Sequence, residues 1–144
     1  MSAMSDFLEN SLVDQIFRGQ TAPTTSTLYI GLYTAAPSDT GGGTELSGSG
    51  YARVSVTSSL NNWAGTQSTG STTASSGTGG ATSNNTAITF PEPTASWGQV
   101  QAFGVFDAST SGNLLFHGSL TINKTINQGD TVTFPAGSLV VTFA

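Results

Sequence analysis

The single histidine, His117, stands in Leu115-Phe116-His117-Gly118, and a strand turn centred on Gly112 would set it diagonally across from Asp107. A histidine beside a carboxylate supplies two members of a hydrolytic triad, and a serine or threonine hydroxyl would complete it. Hydroxyls are so abundant in this chain that finding one nearby carries no information, and no Gly-x-Ser-x-Gly elbow is present. His117 is therefore expected as a hydrogen-bonded structural residue. Asp39, Glu45, Asp107 and Asp130 stand near turn-forming residues, where carboxylates can hold calcium, but none shows the spacing of an EF-hand loop. Their expected role is to start turns through hydrogen bonds to the following backbone. Paired-carboxylate glycosidase chemistry usually needs a larger scaffold than this one. No catalytic residue, metal ligand or cofactor site is expected, and the chain does not read as an enzyme.

The aromatics Tyr29, Tyr33, Tyr51, Trp63 and Trp97 are expected mainly to fill the core. Tyr51 and Trp63 are the two candidates for surface recognition, as rings on which a sugar can stack or which can anchor an interface. Trp63 is singled out because Asn61, Asn62 and Gly65 flank it at the edge of a long polar segment. The glycine-rich stretches after Pro37 and after Gly65 lack the strand, Gly-Lys-Ser/Thr and helix context of a phosphate cradle.

The elements that must position these residues share 144 positions, enough for one domain. Charged residues make up 8% of the chain, with three basic against eight acidic, for a net charge of −5. That charge pattern excludes nucleic acid as a main partner, because phosphate binding needs a row of cations. No apolar run approaches the roughly 18 residues of a membrane span, and no charged start leads into an apolar stretch and cleavage site. Cysteine is absent, which removes thiol catalysis, disulfides and thiolate metal sites together.

One N-terminal helix is expected over residues 5–18, where Leu8, Leu12, Ile16 and Phe17 recur at helical spacing and Val13 widens the stripe. Ser5 or Asp6 can cap its start, Glu9 stands three residues beyond Asp6, and Gly19 can end it in a left-handed conformation. A helix this short is marginal alone, so the stripe has to pack on the body or on another subunit. Leu8, Leu12, Ile16 and Phe17 are accordingly the candidate assembly interface.

Residues 27–144 are expected to form the body. Strands are predicted at Leu28–Tyr33, Tyr51–Thr57, Ala87–Phe90, Gln99–Asp107, Leu114–Leu120, Thr121–Ile126, Thr131–Phe134 and Leu139–Phe143. A flexible Gly/Ser/Thr loop is expected over about residues 65–85, whose composition offers little apolar area. Short strands with turn signals every 8 to 12 residues argue for a mainly β domain, an antiparallel sandwich of jelly-roll-like form. Phe103-Gly104-Val105-Phe106 and Leu114-Leu115-Phe116 are apolar on both faces, which suits a central strand or one covered by a neighbouring subunit. No heptad, collagen-like triplet or longer repeat is present, so no fibre shaft is encoded.

The segments Leu28-Tyr29-Ile30-Gly31-Leu32-Tyr33-Thr34, Gly50-Tyr51-Ala52-Arg53-Val54, Phe103-Gly104-Val105-Phe106-Asp107 and Gly129-Asp130-Thr131, with Phe134-Pro135-Ala136-Gly137, resemble small tailed-phage virion structural proteins. Members of that family are often labelled tail fibre proteins. The resemblance covers nearly the whole chain, with the 65–85 segment as the departure. It implies a non-enzymatic part of a phage particle, made in the host cytoplasm without a signal peptide. The expected role is an exposed multicopy surface protein such as a capsid decoration subunit, with a tail fibre, tail-tip or baseplate component that binds host glycans as the alternative. Expected partners are other virion proteins, the major capsid or tail proteins, and further copies of the chain in a symmetric oligomer such as a trimer.

Overall fold

The computed structural model describes residues 2–143. Its elements in chain order are β1 (Ser2–Met4), α1 (Asp6–Arg18), β2 (Thr27–Ala35), β3 (Thr44–Glu45), β4 (Val54–Thr57), β5 (Ala81–Ser83), β6 (Ile88–Thr89), β7 (Gly98–Phe106), β8 (Leu114–Ile126), β9 (Thr133–Phe134) and β10 (Val140–Thr142). One six-stranded antiparallel sheet runs β1-β8-β7-β2, with β3 and β4 sharing the outer edge of β2. Two short antiparallel pairs, β5 with β10 and β6 with β9, complete a mainly β, open sandwich-like fold with one helix.

Period-two alternation explains why β2 and β7 lie at the centre. Ile30 and Leu32 point into one core with Val100, Phe103, Val105, Ile88, Phe90, Trp97 and Leu139. Tyr33, Ala102 and Phe106 point to the opposite face, where Tyr29 and Leu114 pack against them. The two-sided apolar character of residues 103–106 thus comes from a central strand with a small second core on its other face.

Expected strand ends shift by one residue at β6, β7 and β10 and by up to two at β2 and β9, the short β3 is not among the expected strands, and four further differences stand out. The stretch expected to begin a strand at Tyr51 enters the ladder only at Val54. Beyond Ile30↔Val54 the edge of β2 is already taken, by Leu46 N–H donating to the Leu32 carbonyl (2.9 Å) and by Tyr33↔Glu45. Ala81–Ser83, expected as loop, is drawn into pairing by β10. Ser2–Met4 adds a strand that no alternation announces, along Phe116–Gly118 of β8.

The two strands expected at Leu114–Leu120 and Thr121–Ile126 are one strand, β8, and the expected break coincides with a slip in its ladder. Ala102 faces Ser119 and Val100 faces Lys124, so that Gln101 alone stands opposite Leu120–Asn123. Ile122, in the middle of this bulge, is 66% exposed.

The helix starts as expected, with Ser5 as N-cap and its side chain accepting from Leu8 N–H (3.3 Å). Ser5 Oγ also donates to the Leu114 carbonyl, and Ser5 N–H donates to Leu115 O (2.9 Å), which ties the first turn to β8. With Ser5 as cap, Glu9 lies one residue beyond the capping-box position. Gly19, at φ +68°, ends the helix in the left-handed region that glycine enters without cost. No helix among the described residues is long and apolar enough to cross a membrane.

Candidate functional site

The expected assembly stripe divides in two. Leu8 and Leu12 are half-buried, while Val13 is 51%, Ile16 68% and Phe17 78% exposed, and no helix residue is fully buried. Tethering at Ser5 holds only the first turns near the body, so the second half of α1 presents apolar side chains to solvent. Arg18 pairs with Asp14 (2.8 Å) on the exposed surface.

At the far end of β8 lies a second exposed apolar region. β1 pairs β8 only at Phe116–Gly118, leaving that edge of the strand open from Ser119 onward. There β8, β9 and β10 flank a groove of about 460 Å³ lined by Leu120, Ile122, Val132, Phe134 and Val140, with Lys124 beside them.

The aromatic candidates occupy different settings. Tyr51 lies edge-on to Trp97 (5.5 Å) and stacked on Phe90 (6.3 Å). Its hydroxyl accepts from Leu32 N–H (3.0 Å) and donates to Glu45 Oε1 (2.9 Å). Trp63 is half-buried; its ring nitrogen is closed off from solvent and has no hydrogen-bond partner among the described residues. Around Trp63, Leu28, Leu60, Phe116 and Phe143 line a second, largely apolar cavity of about 320 Å³.

His117 and Asp107 do not come together. His117 faces Gly104 across the ladder, and its Nε2 meets Asp39 Oδ1 at 2.9 Å instead. The β7–β8 connection bends tightly around Ser111 (φ +53°) and Gly112 (φ +72°), and Asp107 closes it by accepting from Asn113 N–H (2.7 Å) and Nδ2 (2.8 Å). Asp130 accepts from Asn127 N–H (2.7 Å), again inside a turn.

Two polar centres have no local pattern in the sequence to announce them, and Glu45, expected to start a turn, instead takes part in the first of them by pairing with Arg53. Arg53, its side chain only 7% exposed, meets Glu45 with both carboxylate oxygens, Nε to Oε1 (2.7 Å) and Nη2 to Oε2 (2.8 Å). Nη1 donates to the carbonyls of Ala108 (2.8 Å) and Ser111 (2.9 Å), and the guanidinium carbon lies 3.4 Å from the Phe106 ring centre. Burial alone would lower the Arg53 pKa, but the hydrogen bond and charge of Glu45 outweigh it and raise it further. Burial, reinforced by the Glu45 charge, pushes Tyr33 up to about 12, and burial raises Tyr51 as well. The cluster matches its polar groups with one another and with backbone, which makes it a latch joining the β3 loop, the start of β4 and the β7–β8 turn.

The latch needs empty space, and paired glycines supply it. Gly31 and Gly104 face each other across β2 and β7. A Cβ on Gly31 would lie 2.8 Å from Glu45 Oε1, and one on Gly104 would lie 2.9 Å from both Phe106 and Tyr33 ring carbons. The second centre is Asn84, fully buried, whose Nδ2 donates to the carbonyls of Thr86 (2.9 Å), Phe134 (3.3 Å) and Pro135 (2.9 Å). Its Oδ1 accepts from Leu139 N–H (2.9 Å), so one side chain joins the end of β5 to both C-terminal strands.

The family model described as podophage GP4 fiber I protein gp80 matches residues 3–142. The chain belongs to this family. It is therefore a phage virion structural protein, a fibre-family component of the particle. The matched span takes in most of β1, α1, the latch, the Asn84 centre and nearly all of the β8 groove. Among curated proteins, none matches the chain.

Proposed function

We propose that the chain is a non-enzymatic subunit of a fibre on the outside of the phage tail, present in several copies, in preference to a capsid decoration subunit. The match of the fiber I family across residues 3–142 carries this reading. The interior arrangement supports a structural subunit. Glu45, Arg53 and Tyr51 are tied to one another, His117 to Asp39, and Asp107 and Asp130 to turn backbone, which suits a scaffold held together by its polar groups. The surface that remains for work is apolar: the second half of α1 and the β8 groove, which suit contacts with other virion proteins.

Cryo-electron microscopy of purified virions tests the assignment by matching this fold to density. Density at the tail, repeated around its axis, is the expected result. Density repeated over the capsid lattice would overturn it and return the chain to a decoration role.

A further inference from the structure

We propose that α1 of one copy seats its Val13, Ile16 and Phe17 stripe in the β8 groove of a second copy, with Glu9 of the helix facing Lys124 of the groove. The fibre reading concerns where the chain sits, and this inference goes beyond it to how copies join. Both halves of the contact are open in the single chain. Ile16 and Phe17 are 68% and 78% exposed, while Ile122 and Val140 at the groove are 66% and 46% exposed. A 13-residue helix is too short to be stable by propensity, so a stripe left in water is a surface awaiting a cover.

Position makes the cover a different molecule. The helix leaves the body beside Leu114 and Leu115, at the start of β8, and the groove lies beyond Ser119 towards the other end of the same strand. Stripe and groove are thus separate patches of different shape, the arrangement of a head-to-tail contact.

Charge complementarity between the helix and the groove points to another copy of this chain as the cover. Two identical chains of net charge −5 repel unless a cation is placed where they meet. Of the three cations, Arg18 is paired with Asp14 and Arg53 with Glu45, and Lys124 is the one without an ion pair among the described residues. It lies at the groove. Glu9, one turn before Val13 and two before Ile16 on the same helix face, has no ion pair either and is exposed. Among the acids without an ion pair, Glu9 is the one on the stripe face within a turn of Val13, so seating the stripe brings an unpaired acid to the unpaired base of the groove.

Sedimentation velocity on the full chain tests this, with circular dichroism to confirm the fold of each variant. The wild type is expected to associate, and Phe17→Asp and Ile122→Asp are each expected to abolish association with the β spectrum intact, since both residues are exposed. Mixing the two variants should restore a heterodimer, because one contributes an intact groove and the other an intact helix. Lys124→Glu should raise the dissociation constant several-fold, and adding Glu9→Lys should reverse that loss. A monomeric wild type would overturn the proposal and leave the stripe to another virion protein. Association that survives either aspartate would overturn it too, by placing the contact on another surface, as would failure of the mixed variants to pair.

Discussion

Replacing Glu45 by glutamine keeps the shape of the latch and removes its negative charge. Arg53 then stays in the fold with its side chain 7% exposed, held over Phe106 and between two carbonyls, without a counter-charge. Breaking a buried ion pair from one side costs about 3 to 5 kcal/mol. Glu45 is itself a quarter exposed, and glutamine retains a neutral acceptor for Tyr51, which places the expected cost near the lower end, about 3 kcal/mol. For a chain of this size that corresponds to a fall in melting temperature of about 10 °C. Arg53→Met removes the cation and leaves a carboxylate that water can reach, so about 2 kcal/mol is expected. The double variant should then lose about 2 kcal/mol less than the sum of the single losses, because the unpaired charge is gone. Thermal and urea unfolding at one fixed protein concentration measure all three. A fall below about 3 °C for Glu45→Gln, equivalent to about 1 kcal/mol, would refute the latch as a buried pair, and so would simple additivity of the two substitutions.

Three more outcomes follow from the same geometry. Tyr33 has a folded pKa of about 12 against an ordinary value of 10.0, so its contribution to stability is complete below pH 10 and disappears as pH rises through 12. An alkaline unfolding transition in that window should move to higher pH in Tyr33→Phe, and an unmoved transition would count against the burial argument. Gly31→Ala should cost about 1 to 3 kcal/mol by driving a methyl against Glu45 Oε1 and Phe106, and combining it with Glu45→Gln should cost less than the sum because both act on one latch. Asn84→Ala leaves three part-buried carbonyls and the buried Leu139 N–H without their partner and should cost about 2 to 3 kcal/mol in urea unfolding; a loss under about 1 kcal/mol would show that other groups take up those bonds.

The parts of the fold legible in the sequence are those where one segment carries its own pattern. Ser5, the apolar stripe and Gly19 announce α1 together, and the alternation of Ile30 and Leu32 with Tyr29, Gly31 and Tyr33 announces β2. β1 and β5 have no such pattern, because three residues are too few for a period and their partners, β8 and β10, lie more than 50 residues away. The latch was hidden for the same reason. Glu45 and Arg53 stand on either side of a glycine-containing loop, and only the folding of that loop brings them into register. For Tyr51 the sequence offers core filling first and surface recognition second, and it does not decide between them because it does not reveal that β3 has already occupied the edge of β2 beyond Val54. Asn84 sits in a run of polar residues where any one of several could have been the buried one.

The ladder slip in β8 has a consequence for crowding. An open strand edge invites other chains to add strand upon strand, a hazard that grows where many copies are packed on one particle. Here the open edge is interrupted by the bulge at Leu120–Asn123, where four residues face Gln101 alone, and is followed by a lysine. An incoming strand would find no long straight template to extend. The same bulge that lifts Ile122 outward thus keeps its side chain accessible while making the edge a poor template for open-ended β-addition.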